Sequence, residues 1–276
     1  MSVASRRPVT ISAPYDRVVD RLLGGHGILL YVFLYLPIVV VVVYAFNESR
    51  LAQVWHGLSL RWFPEAWNDR TLRAAFRISV TTAVANAVVA TILGTAAAIA
   101  LRNVGRRTRS LFDVFMYMAL IVPEIVIAIA SLLFFVTIRV PLGPLAIVIT
   151  HAVFNTSLVT LIVRARIAGM DRSLEEASAD LGASRWGTFR QVTLPQLYPA
   201  VLAAVLLSFT FSFDDVVLSS FVSGPGSTTL PVEIFSSLRF GLTPKINVVA
   251  VFTLAITLTA IFVAQLLLRR EARATS

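Results

Sequence analysis

The sequence contains no cysteine and only three histidines among its 276 residues. The lack of cysteine excludes disulfide frameworks, thiolate catalysis and cysteine-ligated zinc. The histidines, His26, His56 and His151, are too far apart in sequence for a local metal-binding motif. Charged residues are also scarce, at 14%, whereas apolar residues reach 57%. Water-soluble domains are less apolar and carry more charge, so the composition excludes that class.

Long apolar runs dominate the chain. Six of them carry little or no charge and have 19 to 26 residues each; they are residues 28–46, 78–101, 114–138, 145–163, 197–222 and 248–268. About 20 helical residues cross a hydrocarbon core of ~30 Å. The sequence therefore predicts an all-α, polytopic membrane protein with six transmembrane helices. These helices form one domain, residues 28–268, between an N-terminal tail, 1–27, and a C-terminal tail, 269–276.

The formal charge of +9 is carried by arginines on the short segments between the runs. If the N-terminus is cytoplasmic, 16 of the 24 Lys and Arg residues fall on the cytoplasmic side. Cytoplasmic loops of membrane proteins carry an excess of Lys and Arg, so both termini are predicted to be cytoplasmic. This topology explains the positive charge without a nucleic-acid partner.

Residues 171–195 have the pattern of a helical elbow. Ser173 and Glu176 have the spacing of a capping box. Gly182 is placed to end the first helix in a left-handed conformation, and Ser184 to cap a second, short helix. Three apolar residues share one face of the first helix: Leu174, Ala177 and Leu181. An amphipathic element of this kind also fits a plain interfacial helix lying on the lipid headgroups.

This segment resembles the EAA loop of ABC-importer permeases. Glu176-Ala177-Ser178 is followed after three residues by Gly182, and after nine more by Val192-Thr193-Leu194-Pro195. Ser178 replaces an alanine of the family pattern and Val192 an isoleucine, but the spacing is unchanged. The resemblance implies a type I ABC-importer permease fold in which the loop docks on a cytoplasmic ATPase dimer as a coupling helix. The residues that it assigns to coupling are Leu174, Glu175, Glu176, Ala177, Ser178, Asp180, Leu181, Gly182 and Ala183.

Later motifs are similar to the spermidine/putrescine permeases, in particular to their C-type subunit. They are Phe213-Asp214-Asp215, Gly224-Pro225-Gly226 and Thr229-Leu230-Pro231. The resemblance implies a permease of the bacterial inner membrane that receives a polyamine from an extracytoplasmic binding protein and pairs with a different, B-type permease. Related permeases for 2-aminoethylphosphonate or ferric iron carry similar motifs, so these solutes remain alternatives.

The chain has no G-x-x-x-x-G-K-[ST] sequence, the loop that cradles nucleotide phosphates in P-loop proteins. We therefore expect no enzymatic activity and no cofactor in this chain, with ATP and magnesium bound by the partner ATPase. A secondary transporter would need no ATPase, but the sequence has no clear internal repeat. An intramembrane enzyme would need a nucleophile–base or metal constellation that the sequence lacks.

Carboxylates inside the apolar runs are the candidate substrate contacts, because charge in a bilayer is costly and usually has a function or a partner. They are Glu124, Asp214 and Asp215. Depth along the fourth and fifth runs predicts that His151 lies level with Asp214. The structural alternative is that either aspartate only pairs with a helix end, with Arg139 or with His151.

Helical spacing separates the two aspartates. A polar stripe on the fifth run consists of Ser208, Ser212, Asp215 and Ser219. Phe209 and Phe213 border this stripe and are expected to hold an ammonium ion by cation–π attraction. The sequence therefore favours Asp215 over Asp214 as a contact along a water-filled path.

Small residues recur at every fourth position of the second run. They are Thr82, Asn86, Ala90, Gly94 and Ala98. Small residues at this spacing let two membrane helices approach closely. We expect this face to pack against a neighbouring helix rather than to contact substrate.

Overall fold

The computed structural model describes residues 14–50, 54–238 and 243–274. These ranges contain helices and no β-strand, apart from one isolated bridge between Asn47 and Leu58. The helices are α1 (Pro14–Tyr44), α2 (Trp62–Asn68), α3 (Arg70–Ala100), α4 (Arg106–Ile121), α5 (Glu124–Thr137), α6 (Pro144–Ala168), α7 (Ser173–Asp180), α8 (Arg185–Thr188), α9 (Leu194–Asp214), α10 (Val217–Val222), α11 (Leu230–Ser237) and α12 (Pro244–Ala274). A π-helical turn, Phe189–Thr193, joins α8 to α9. The all-α prediction is confirmed.

Four described helices are long and apolar enough to cross a membrane. They are Arg21–Tyr44 within α1, all of α3, all of α6 and the continuous helix Arg185–Asp214. The bent pair α4 and α5 adds a fifth span if the two helices are counted together. In α12, Pro244–Thr259 forms a shorter apolar helix within the described part of the chain. All six predicted runs lie in helices, but two of them are interrupted, so there are fewer continuous spans than predicted.

The third predicted span, 114–138, is broken near its middle. Helix α4 ends at Ile121, α5 begins at Glu124, and the two axes differ by 104°. Pro123 lacks an N–H donor and clashes with a helical conformation of the residue before it. Val122 accordingly has an extended conformation, with ψ at 131°. The prediction of one straight span was wrong because a continuous apolar run does not reveal a break in the backbone.

The fifth predicted span, 197–222, is broken at Asp215. Asp215 has an extended conformation, with φ at −69° and ψ at 129°. Its carboxylate accepts hydrogen bonds from the amides of Leu218, at 3.2 Å, and Ser219, at 2.6 Å. These amides are among the unpaired donors in the first turn of α10. An aspartate in the apolar run therefore ends α9 and stabilises the start of α10.

Helices α3, α6 and α9 pack together as the core that positions both candidate sites. The small residues predicted to face a neighbouring helix, Thr82, Asn86, Ala90, Gly94 and Ala98, are all buried. A Cβ atom added at Gly94 would lie 2.6 Å from Val159 Cβ and 2.9 Å from the Thr156 carbonyl oxygen of α6. Only glycine permits this approach, so the prediction of close helix packing is confirmed.

The predicted tails are partly helical. Helix α1 begins at Pro14, so the second half of the expected tail 1–27 continues the first span. Helix α12 extends to Ala274, through most of the expected tail 269–276. Residues 1–13 and 275–276 lie outside the described ranges.

Candidate functional site

The segment between α6 and α9 forms the predicted elbow. Helix α7 ends in a turn in which Gly182 has a φ of +82°, a left-handed conformation that favours glycine. The amide of Gly182 donates to the Ala179 carbonyl oxygen, and the amide of Ala183 donates to that of Ser178. Ser184 Oγ then accepts a hydrogen bond from the Gly187 amide at the start of α8. Both predicted helix boundaries are therefore confirmed.

The predicted capping box at the start of α7 is wrong. Ser173 is the first residue of the helix rather than its cap, and the preceding residue, Arg172, makes no side-chain capping bond. Asp171 caps the chain instead, because its carboxylate accepts from the Ser173 amide at 2.9 Å. This hydrogen bond lowers the pKa of Asp171. An aspartate two residues before a turn commonly makes such a bond, and here it takes the amide away from the serine–glutamate pair.

The outer surface of the elbow is apolar although it lies outside the spans. Leu181 is 90% exposed, Trp186 69% and Leu174 50%. The remaining predicted coupling residues on this surface, Glu176, Ala177, Asp180, Gly182 and Ala183, are also exposed. Ser178 is half-buried and lies 3.0 Å from Thr188 Oγ1 of α8. An exposed apolar surface of this kind is typical of a contact with another protein or with the membrane surface.

Glu175 alone among the predicted coupling residues makes an ion pair that holds it against the spans. Its carboxylate accepts two parallel hydrogen bonds from the Arg102 guanidinium, at 2.9 and 2.7 Å, and one from Thr193 Oγ1 at 2.7 Å. Arg102 follows the end of α3, and Thr193 is the residue before α9. The hydrogen bonds from Arg102 lower the pKa of Glu175, and the same contact raises the pKa of Arg102. Sequence spacing does not reveal this pair, because 73 residues separate its members.

At the other end of α9, Asp215 belongs to a buried polar cluster. His151 of α6 is 2% exposed, and its Nε2 donates to the Asp215 carboxylate at 3.1 Å. His151 Nδ1 lies 2.7 Å from Ser212 Oγ, and Ser219 Oγ lies 3.3 Å from Nε2. Asp215 therefore makes the structural contacts that were the alternative to a substrate contact. Its carboxylate pairs both with a helix end and with His151.

The serine stripe is buried within the chain and does not line an open path in the single subunit. Ser208 and Ser219 are 0% exposed and Ser212 is 3% exposed. The side chain of Asn86 on α3 donates to the Ser208 carbonyl oxygen at 3.3 Å. This part of the stripe therefore lies in the contact between α9 and its neighbours α3 and α6.

The structure divides the remaining predicted substrate contacts between two cavities. A cavity of about 340 Å³ is lined by Glu124, Asp215, His151 and Asn155, among others. A second cavity, of about 230 Å³, is lined by Asp214 and Phe213 together with residues of α11. Glu124 and Asp214 are exposed in the isolated chain. Glu124 and Asp215 are therefore brought together, whereas Asp214 faces a different cavity.

The two phenylalanines face away from the polar cluster. Phe209 and Phe213 stack with their ring centroids 5.6 Å apart, and Phe213 also meets Phe76 of α3 edge-on at 6.3 Å. Both belong to an apolar cluster formed mainly by α2, α3 and α12. Their neighbours on the side away from the serine stripe are therefore apolar, and their contact with an ammonium ion stays a prediction. A helical wheel gives their angle on α9 but not the neighbouring helices that cover them.

Sequence reasoning missed Asn155, which lines the same cavity as Glu124. Asn155 is 2% exposed, and its Oδ1 has no hydrogen-bond partner among the described residues. It follows His151 by four residues on α6, so both share one face of that helix. The four-residue spacing from His151 was the feature of the sequence that could have indicated Asn155. In the described ranges no group of three or more His, Cys, Asp and Glu residues has the arrangement of a metal site.

Apolar spans, a helical elbow at one end and acidic residues within the bundle are typical of a membrane transport subunit. Residues 90–274 match the family described as "Binding-protein-dependent transport system inner membrane component". The chain belongs to this family of ABC-importer permeases. Its fold is similar to a chain in the crystal structure of a bacterial ABC transporter involved in the import of the acidic polysaccharide alginate. The TM-score is 0.75 at 14% identity, covering 93% of this chain and 96% of that chain.

Two relatives from Escherichia coli K12 match almost the whole chain. The putrescine transport system permease protein PotI is 40% identical over 261 residues, covering 92% of this chain and 91% of the relative. The spermidine/putrescine transport system permease protein PotC is 35% identical over 257 residues, covering 93% and 97%. The predicted resemblance to polyamine permeases is confirmed.

Proposed function

We propose that this chain is a permease subunit of an ATP-driven polyamine importer in the bacterial inner membrane. It passes spermidine or putrescine from an extracytoplasmic binding protein towards the cytoplasm. The observation that carries this proposal is its identity of 35–40% to permeases named for these substrates, over more than nine-tenths of its length. The acidic residues in the bundle provide the chemical argument for a cationic solute.

The acidic cavity suits an ammonium group. A carboxylate and a cation ~4 Å apart attract each other by about 4 kcal/mol at an effective dielectric constant of 20. This attraction offsets part of the cost of bringing an amine into the membrane and is weak enough for release. We assign the contact to Glu124 and Asp215, which line one cavity, and to Asp214 in the second cavity. In this assignment Asp215 also fixes the backbone, whereas Glu124 is exposed to the solute.

The elbow receives the ATPase dimer in this proposal. Leu174, Leu181 and Trp186 form an apolar surface, and Glu176 and Asp180 add charge to it. The chain itself lacks the phosphate-binding loop of an ATPase. Hydrolysis therefore belongs to the partner, and the permease converts its closure into movement of the spans.

The chain supplies one half of the path. Glu124 and Asp214 are exposed when the chain is alone, and the apolar window of α1 has none of its residues buried. A second permease subunit would cover such surfaces, and the likeness to the C-type polyamine permease favours a different, B-type chain. We propose a complex of two permeases, two ATPases and one binding protein.

The elbow end of α9 is the cytoplasmic end in this proposal. The Arg102–Glu175 pair joins the arginine-rich loop after α3 to the elbow, so both arginine-rich segments lie on one side. Positive residues favour the cytoplasmic side. Both termini then also face the cytoplasm. A reporter that is active only in the cytoplasm, fused to the C-terminus, tests this orientation.

The substrate proposal is tested with the complex purified through a tag on this chain and identified by mass spectrometry. Proteoliposomes containing it are given the binding protein and radiolabelled putrescine or spermidine, with 2-aminoethylphosphonate and ferric iron as competitors. We expect saturable uptake that requires ATP and that the two competitors do not inhibit. Uptake by the chain without an ATPase would support a secondary transporter, and specific uptake of a competitor would replace the polyamine assignment.

A further inference from the structure

We propose that Glu175, Arg102 and Thr193 form a clamp that makes the elbow move with α3 and α9 as one body. This inference rests on the proposed function, because it concerns how movement at an ATPase reaches the spans. It separates Glu175 from the exposed residues with which sequence similarity had grouped it. Glu175 is here a positioning residue, and the ATPase contacts its neighbours.

Both carboxylate oxygens of Glu175 accept hydrogen bonds. One oxygen accepts from Arg102 and from Thr193, and the other accepts from Arg102. The side chains of Arg102 and Glu175 are only 16% and 22% exposed. Thr193 is 4% exposed. A parallel, charge-assisted pair in a shielded position fixes both distance and orientation, which one exposed ion pair does not.

The clamp joins three elements that otherwise make few polar contacts with one another. Within the described ranges, Glu175 is the only side chain of α7 whose hydrogen bonds reach the end of α3 and the start of α9. The bond between Ser178 and Thr188 stays inside the elbow. Arg166 donates to the Gln196 carbonyl oxygen and joins α6 to α9 without touching α7. Without the clamp, the elbow is attached to the spans mainly through its own chain.

The clamped helices lead directly to the candidate substrate residues. Helix α9 has 21 residues, about 30 Å of helix, between Thr193 and Asp215. Helix α3 packs along α9 and donates to it from Asn86. Because packed helices transmit displacement as rigid elements, movement of the clamped elbow shifts the helix that ends at Asp215. Without the clamp, α7 is joined to α9 through the turn at Gly182 and the continuous helix that begins at Arg185, so α7 can rotate on the ATPase surface while α9 stays in place.

The decisive variants change Arg102 in the complex with its ATPase. Arg102→Met removes the charge-assisted pair, and Arg102→Lys keeps the charge but cannot make two parallel bonds. The exchanged pair Arg102→Glu with Glu175→Arg rebuilds the pair in reverse. Arg107→Met, at an exposed arginine in the first turn of α4, is the matched control. Substrate transported per ATP hydrolysed is measured in proteoliposomes, and ATPase binding is measured by co-purification.

We expect Arg102→Met to retain the ATPase but to transport about tenfold less substrate per ATP, the effect on an equilibrium of losing a charge-assisted hydrogen-bond pair. Arg102→Lys should be intermediate, the exchanged pair should recover more than half of the coupling, and Arg107→Met should behave as wild type. Normal coupling in Arg102→Met, or loss of the ATPase from it, overturns the clamp. If the wild-type chain itself binds no ATPase, the proposed function is wrong, and the missing ATPase cannot be attributed to loss of the clamp.

Since the chain has no cysteine, spin labels at Asn103→Cys and Ala179→Cys report the geometry of the clamp directly. Both positions are exposed. The distance between the labels should be the same without nucleotide and with ATP. In Arg102→Met the distance distribution should broaden or shift. A distance that changes with nucleotide in the wild-type background contradicts movement as one body.

Discussion

Two neighbouring carboxylates lie near each end of α9. In each pair, one side chain is held by contacts within the chain and the other is exposed. At the elbow end, Glu175 is held by Arg102 while Glu176 is exposed. At the aspartate end, Asp215 is buried against His151 while Asp214 is exposed. Adjacent residues of identical chemistry thus have different surroundings. One member of each pair makes contacts within the chain, whereas the side chain of the other is exposed.

The two ends differ in what holds the buried carboxylate. Arginine keeps its charge at every physiological pH, so the elbow end is held by a permanent ion pair. The aspartate end is held by hydrogen bonds from the His151 ring and from the amides of Leu218 and Ser219. The first arrangement suits a fixed joint. The second arrangement places the Asp215 carboxylate at the break between α9 and α10, beside the cavity that Glu124 also lines.

The largest effect is expected from Gly182→Pro at the elbow end. Proline cannot adopt the φ of +82° at this position and removes the amide that donates to Ala179. A cost of about 3 kcal/mol corresponds to a change of about a hundredfold, so ATP-driven uptake should be lost while the chain still inserts into the membrane.

The control for this change is Gly182→Asn, because asparagine tolerates the left-handed conformation. Uptake and ATP hydrolysis are measured in parallel for both variants. Substrate-stimulated hydrolysis at the wild-type rate in Gly182→Pro would show that the elbow has no coupling role.

At the aspartate end, Asp215→Asn is expected to impair polyamine uptake more than Asp214→Asn. Asparagine keeps the shape and an acceptor oxygen but loses the charge that faces His151. We expect a loss of about tenfold for Asp215→Asn, the size of one charged hydrogen bond, and a smaller loss for the exposed Asp214. Initial uptake rates decide the comparison, with co-purification of the ATPase as the check on assembly. Equal, unimpaired uptake in both variants would make these carboxylates structural.

The packing of α3 against α6, in the core between the two ends, is tested by Gly94→Ala. The new methyl group would lie 2.6 Å from Val159 Cβ. Overpacking of this kind costs about 1–3 kcal/mol and should lower the thermal unfolding temperature in detergent. Gly27→Ala, at a helical glycine with no atom within 4 Å, is the control and should not lower it. Equal unfolding temperatures for both variants would mean that α3 and α6 are not held at the observed distance.

The smallest effect concerns Asp69, which precedes α3 on the side away from the elbow. Burial acts to raise its pKa, but the hydrogen bonds from Lys245 and from the Leu72 and Thr71 amides outweigh this and lower it. A carboxylate with a lowered pKa in the folded state stabilises the fold above its unfolded pKa, and this stabilisation is lost as the pH falls through the folded pKa.

Lys245→Met should therefore cost less than about 1 kcal/mol of unfolding free energy at neutral pH, the usual worth of a partly exposed ion pair. The difference from wild type should shrink as the pH falls below the ordinary aspartate pKa of about 4 and through the lowered pKa of folded Asp69. Thermal unfolding at pH 7 and at pH 3.5 measures both values. A difference that grows on acidification contradicts the assigned sign.

Local features of the fold were predictable from the sequence. Gly182 and Ser184 act through hydrogen bonds to residues three positions away, so their spacing was sufficient. The small-residue face around Gly94 follows the helical period and needs only a neighbouring helix. The break at Pro123 was also predictable from the chemistry of proline, but the continuous apolar run obscured it.

Contacts between distant segments were not predictable in the same way. Arg102 and Glu175 meet only because α3 and α9 pack side by side. The packing of Phe209 and Phe213 against α2, α3 and α12 was not predictable, because a helical period gives an angle but not the neighbour at that angle. The capping box failed because Asp171 accepts from the Ser173 amide that Glu176 would have bound, while the Glu176 amide donates to the Arg172 carbonyl oxygen. The sequence does not reveal which acceptor takes each amide.

Cross-linking from two exposed leucines tests the central claim, that the elbow is where the ATPase acts, most directly. Leu181 is 90% exposed on the elbow, and Leu58 is 79% exposed near the opposite end of α3. Because the chain has no other cysteine, Leu181→Cys and Leu58→Cys each carry a single reactive site in the assembled complex. The account predicts that Leu181→Cys cross-links to the ATPase subunit and that Leu58→Cys does not. No cross-link from Leu181→Cys, or equal cross-linking from both positions, would contradict it.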